Sequence, residues 1–434
     1  MGTTIRNATL LLSALLGCGT NVLAQTGTWS TPIQLDSIAP NSGGGQLGPP
    51  VASGAADTAL ATWTKPTPPA ATTQVLQISQ KTSGANQWTT KATSISAPTT
   101  VPFYSSVAEN PDGTAIAALD GTVTSRVGLT GAWSTPTVLG NGAYPLVGLD
   151  SQNDSFALFG RYSAACACYP DEILGTRPNA GAWSTQVIGP QQSAIAATNP
   201  LGMAVIVLIT PSTTNASATL NVITRNSFTS PWTSPTHLTT NAWAYVVAIN
   251  QNGLATVGWN DYGASNITLF VSQGQAGGTS WSARFALDSA NHLTGGNVST
   301  PALTAVPSSG QFVAIWSHST VTPKAASIVS STFSGAWSSP TQVTATVGGK
   351  FAIEASPDGS LVMAGWQTGV FGSRVGTTHF AALNPTTGTW GQPIAISSAM
   401  NLSFAPTITC GPGGTATALW LEGSGTSLKE AIYK

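Results

Sequence analysis

Asp120, Asp261 and Glu422, each near the end of a predicted strand, are the side chains in this sequence best placed for acid–base chemistry. One protonated and one ionised carboxyl flanking a glycosidic bond suffice for hydrolysis, and a similar pair serves a polysaccharide lyase. Equivalent loop positions carry Lys65, Arg161, Tyr262, His318 and Gln367. From this set Arg161, Asp261, Tyr262, His318 and Glu422 are candidate ligand contacts, joined by Trp243, an aromatic residue outside every repeat described below. The plainer expectation for polar loop residues is that they are solvated. His237, His292, His318 and His379 occur singly and form no H-x-x-H or H-x-E arrangement, so neither a metal nor a cofactor is expected. Cys166-Ala-Cys168 has no histidine nearby, and with Cys410 it leaves an odd number of thiols in the mature chain. No G-x-S-x-G elbow supplies a serine nucleophile.

The elements that position these residues are set by repetition. Gly-x-Trp-Ser-x-Pro recurs around Trp29, Trp133, Trp337 and, as Gly388-Thr-Trp390-Gly-Gln-Pro393, around Trp390, with weaker copies at Trp88, Trp183, Trp232 and Trp281. Successive tryptophans lie 59, 45, 50, 49, 49, 56 and 53 residues apart, the period of a four-stranded propeller blade. A second motif, clearest as Gly414-Thr-Ala-Thr-Ala-Leu-Trp420, alternates with the first and ends at Trp63, Trp259, Trp316 and Trp366 in other copies. Apolar residues on both faces predict a strand covered on both sides. A short strand before it, closed by turns such as Pro357-Asp-Gly359, and another after it complete four strands per unit.

Small residues concentrate in the first two strands, which places them near the crowded axis. Pro32, Pro136, Pro235, Pro340 and Pro393 follow the repeat tryptophan by three residues, and Lys91, Gln186 and Arg284 take that position elsewhere. Proline cannot donate to a ladder, so this strand is expected at the outer sheet edge. The final unit lacks such a strand while the N-terminus has a spare one. The expected fold is all-β: one eight-bladed propeller over residues 25–434, closed by residues 29–35 completing the last blade. The repeat tryptophans are then packing residues between blades, and Trp243 is the exception.

Only 29 of 434 residues are charged and the net charge is −1, which excludes nucleic-acid binding through a basic surface, coiled coils and charged disordered tails. Residues 1–24 read as an export signal: Arg6 precedes the apolar run Ala8–Gly17, too short to span a bilayer, and Val22-Leu-Ala24 suits signal-peptidase cleavage. Leu15-Leu-Gly-Cys18 offers the alternative of a lipid anchor at Cys18. A secreted or periplasmic monomer without a membrane span is expected.

In its Gly-x-Trp-Ser turns the chain resembles secreted bacterial β-propellers, the sialidase-like repeats and propeller lectins. Turns such as Ser83-Gly-Ala-Asn-Gln-Trp88 lack the aspartate of a sialidase Asp box, and Pro32 or Pro136 stands where the lectins carry a second tryptophan. The resemblance therefore implies the architecture. Ala382-Leu-Asn384-Pro-Thr-Thr-Gly388 is a partial match to quinoprotein dehydrogenase repeats, but its Gly–Trp spacing differs. The functional expectation is glycan binding or adhesion without catalysis, with a propeller glycoside hydrolase or polysaccharide lyase, or a protein-interaction platform, as alternatives. Contacts are expected on the face of the connections between blades, where the loops Asp36–Pro50 and Asp288–Pro301 lengthen, because the opposite Asp-Gly turns are short and uniform.

Overall fold

The computed structural model describes residues 27–37, 51–53, 58–66, 74–81, 88, 93–94, 105–163, 165, 168–179, 181–189, 193–211, 217–291, 293, 296–299, 301–321, 324–346, 348–369, 375–397, 400–401, 406–422 and 427–434. The expected export signal with Cys18, most of the loop to Pro50, Cys166 and His292 lie outside them. The described residues are all-β: antiparallel strands with short 3-10 turns, as at Pro412–Gly414, and no α-helix. Their innermost strands are Val51–Ser53, Ser105–Glu109, Gly142–Leu149, Ser193–Thr198, the second half of Thr236–Ile249, Ala302–Val306, Gly348–Ala355 and Thr407–Cys410. Each neighbours the next, and the last neighbours the first, so among the described residues eight sheet units follow one another in a closed cycle.

The second motif forms the second strand of its unit, as in Ala59–Pro66, Gln311–Val321 and Ala416–Glu422, with partners on both sides. Its alternation is apolar on both faces because both face a neighbouring sheet, and small alanines let those sheets approach. Trp63, Trp259, Trp316, Trp366 and Trp420 are at most 2 % exposed. Trp420 packs with Met363 and Phe380 of the preceding unit, and Trp63 with Leu419 and Leu428 of the eighth. The core thus lies between sheets and passes around the ring.

All eight repeat tryptophans are half-buried and pack against one of these clusters. The last residue of the third strand covers the indole in several units: Arg126 over Trp133, Arg177 over Trp183, Arg225 over Trp232, Phe333 beside Trp337 and Tyr433 beside Trp29, at 4.9–5.6 Å between centres. Arginine lies there as a cation over the indole, and the aromatic alternatives meet it tilted, at 52° and 56°. Arg126 also forms a buried 2.8 Å ion pair with Glu109, which satisfies the charge that burial would leave unpaired.

The outer strands begin one residue after the proline, at Thr137, Thr236, Thr341, Ile394 and Ile33; the tryptophan precedes them as an isolated bridge or coil residue, except Trp390, which forms the short strand Thr389–Trp390. Proline therefore lies just before the outer strand instead of within it. The fourth unit departs further from the edge expectation. Thr236–Ile249 pairs with Ala218–Arg225 in its first half and with Leu254–Tyr262 in its second, so one strand of 14 residues passes from the outside of the fourth unit to the inside of the fifth.

On the turn face the units are tied by asparagine. Asn199 accepts from the amides of Leu201 and Met203 in its own turn and donates to the Asn250 carbonyl of the next unit at 2.9 Å. Asn250 repeats this on Gly310, and Asn110 reaches the Asp150 carbonyl. Asp358 accepts from the Gly413 amide at 2.8 Å, and these bonds hold its carboxyl below the usual range despite partial burial. This belt gives the uniform turns a scaffold role.

Ile33–Ser37 pairs antiparallel with Ser427–Tyr433, completing the sheet of Thr407–Cys410 and Ala416–Glu422. Thr28 and Lys434 exchange backbone bonds of 2.8 and 3.2 Å, and the Trp29 ring lies 5.4 Å from Tyr433 and 4.9 Å from Phe380. Without this strand the last sheet would expose its third strand and part of the cluster around Trp420. Deleting residues 25–36 should lower the thermal midpoint by at least several degrees in a calorimetric scan; an unchanged midpoint would show that closure does not depend on this pairing.

Candidate functional site

Three of the expected contacts, Trp243, Asp261 and Tyr262, come together in the fifth unit. The ladder pairs Ala242 with Asp261 and Ala244 with Asn260, so Trp243 is an extra residue in a β-bulge. A bulge takes a side chain out of the alternation of its strand, and Trp243 is 47 % exposed. Its ring centroid lies 4.6 Å from that of Tyr262, itself 36 % exposed, with 37° between the planes. Asn241 donates to the Asp261 carboxylate and to the Tyr262 carbonyl, the latter at 2.9 Å. Arg284 pairs with the other Asp261 oxygen at 3.0 Å while its guanidinium lies over Phe270 at 4.5 Å. Two neighbouring aromatic rings are thus held at the surface beside an amide, a carboxylate and a guanidinium whose positions are fixed by one another.

His318 serves a different arrangement. Its Nδ1 lies 2.8 Å from Asp288, which also accepts from Trp316 Nε1 at 2.7 Å. Asp36 does the same for the first unit, accepting from Trp63 Nε1 at 2.9 Å and Lys65 Nζ at 2.7 Å. In both cases an aspartate of the preceding unit's outer strand satisfies a buried indole and a basic side chain two residues beyond it, clamping two units together. Sequence reasoning placed Asp36 and Asp288 at the starts of long loops and missed this role. The signal was present: each lies seven residues after its repeat tryptophan, and Lys65 and His318 each follow the second-motif tryptophan by two.

The remaining candidates are dispersed. Asp120 is 8 % exposed in the hairpin turn between Ala115–Leu119 and Thr122–Arg126, with φ of +54°. Arg161 pairs with Asp171 directly opposite it in the ladder of the third unit. Glu422 accepts from Trp420 Nε1 at 3.0 Å in the eighth. Asp120, Asp261 and Glu422 thus belong to the second, fifth and eighth units, and no two share a unit or a neighbouring pair. Gln367 lies near the end of Val362–Gly369 in the seventh. Among the described residues no three His, Cys, Asp or Glu side chains gather as a metal site, and no helix is long and apolar enough to cross a membrane. Cys410 is buried, its thiol pushed up by burial and donating to the Glu354 carbonyl at 3.4 Å.

With this geometry the chain is similar to solved β-propellers. It matches the Dos1 propeller at 11 % identity over 94 % of this chain and 95 % of that one, with a TM-score of 0.53. Less closely, it matches the WD40 domain of SCAP from fission yeast at 8 % identity, 94 % and 98 % coverage and TM-score 0.46, and a PL25 ulvan lyase at 10 % identity, 74 % and 89 % coverage and TM-score 0.48. No protein-family model and no curated protein sequence matches the chain. The fold is therefore that of a β-propeller, and no function follows from these likenesses.

Strongly shifted carboxyls lie away from the aromatic pair. Glu172, 3 % exposed, is pushed up to about 8 by burial, and Glu430, 1 % exposed, to about 7 by burial against the pull of Lys81. Both are protonated more readily folded than unfolded, so their contribution to stability is full below the ordinary glutamate value and is lost as pH rises through 7–8. The melting temperature should be several degrees higher near pH 5 than near pH 8.5, and Glu172→Gln should flatten this dependence. A midpoint that rises with pH across this window would contradict the assignment.

Proposed function

We propose that this protein is an exported, non-catalytic carbohydrate-binding propeller whose contact surface is the Trp243–Tyr262 pair with Asn241, Asp261 and Arg284. The observation that carries the reading is the exposure of two adjacent aromatic rings in a chain whose other tryptophans are buried or half-buried between sheets. Exposed ring faces offer apolar stacking area to sugar C–H groups, and rigid polar side chains at their edge give the directional hydrogen bonds that hydroxyls require. Asp261 is held by two donors, Asn241 and Arg284, which suits fixed recognition of a hydroxyl better than proton transfer. The low charge density of the chain, 29 charged residues in 434, also favours a neutral polar ligand over a nucleic acid or an acidic surface.

A glycan array probed with wild-type protein, Trp243→Ala and Tyr262→Ala tests this directly. Wild type should retain one group of glycans, and each variant should bind them at least about tenfold more weakly with an unchanged melting temperature. Retained glycans should keep their length on prolonged incubation. Shortened products would replace this reading with a hydrolase or lyase; full binding by both variants, or no glycan retained at all, would overturn the assigned surface.

A further inference from the structure

The bulge at Trp243 has counterparts in two other units. In the third, Ala143 pairs with Gly160 and Leu146 with Leu158, leaving Tyr144 and Pro145 opposite the single residue Phe159. In the seventh, Gly349 pairs with Gln367 and Ala352 with Gly365, leaving Lys350 and Phe351 opposite Trp366. Tyr144 has φ of +55° and Lys350 of +54°. This left-handed conformation is the one glycine adopts without strain, and bulges of this kind ordinarily carry glycine there. Here a tyrosine and a lysine occupy it, both exposed, Tyr144 by 48 %.

All three bulges interrupt innermost strands at the end nearer the connections between units, so they lie on one end of the closed ring that those strands form. In the cycle of eight the third and seventh units lie opposite one another and the fifth lies midway. Packed sheets roughly 10 Å apart would put positions two units apart on the order of 15 Å from one another, more than one sugar spans. Tyr144 and Lys350 thus stand exposed, in left-handed backbone, at two opposite positions of the ring and on the end that also carries Trp243.

We propose that this end of the ring continues the Trp243–Tyr262 surface into an extended subsite for a linear oligosaccharide, with Tyr144 stacking on one end of the chain and Lys350 donating hydrogen bonds to the other. This rests on the carbohydrate reading above and adds that the ligand is a polymer segment, not a terminal monosaccharide. Affinity then grows with chain length until both outer contacts are reached.

Calorimetric titration with ladders of one to six sugars from the cellulose, chitin, xylan and α-glucan series tests the extension. One series should bind with affinity rising at least about tenfold from the disaccharide to the hexasaccharide. Tyr144→Gly and Lys350→Gly should abolish most of that gain while leaving the disaccharide affinity unchanged and the melting temperature equal or higher, because glycine relieves the backbone. Affinity independent of length, equal losses for short and long sugars, or a melting temperature lowered by the glycine variants would overturn the extended subsite while leaving the aromatic pair as the binding surface. Absence of binding in every ladder would overturn both.

Discussion

A sheet that is apolar on both faces cannot stand alone in water, and this constraint governs the molecule. Every second strand carries its large apolar side chains to both sides, so each unit needs a neighbour on its left and on its right. A row of such units has two exposed ends; a ring has none. Closure by pairing Ile33–Ser37 with Ser427–Tyr433 is therefore the condition under which the other sheets are covered, and the asparagine belt and the Asp36 and Asp288 clamps are local means of keeping neighbours in register.

The same constraint divides the two faces. Turns between first and second strands repeat one local solution, an asparagine or aspartate that closes its own turn and holds the next unit, and leave little freedom for variation. Connections between units must only bridge a gap, so their ends tolerate bulges, exposed rings and polar clusters. The continuous strand Thr236–Ile249 shows this freedom: it makes the crossing without a loop, and its bulge lifts Trp243 out of the packing. A scaffold stiffened on one face can hold strained residues such as Tyr144 and Lys350 on the other.

Most of the architecture was legible because burial imposes a period on the chain. Trp63 and Trp420 announce strands covered on both sides, and the spare N-terminal copy of the first motif announces closure. Pro136 and Pro340 pointed to edge strands correctly but lie just before them, since the missing amide matters at a strand's start as much as within it. Trp243 stood out as an aromatic residue with no place in the repeat. Its contact with Tyr262 was not legible, because a one-residue bulge changes the direction of a side chain without leaving a mark in the pattern. His318 was read as a ligand contact from its loop position alone, whereas its bond to Asp288 follows from two spacings that become meaningful only when units are compared with their neighbours.

The proposed sugar-binding surface is the pair of rings of Trp243 and Tyr262 on the connection face. A crystal structure of the protein soaked with the best oligosaccharide from the array tests it most directly. The expected result is a pyranose or furanose ring lying against these two side chains, with hydroxyls hydrogen-bonded to Asn241, Asp261 or Arg284. A sugar seated instead on the asparagine-tied turns, or between two sheets with no contact to either ring, would contradict it.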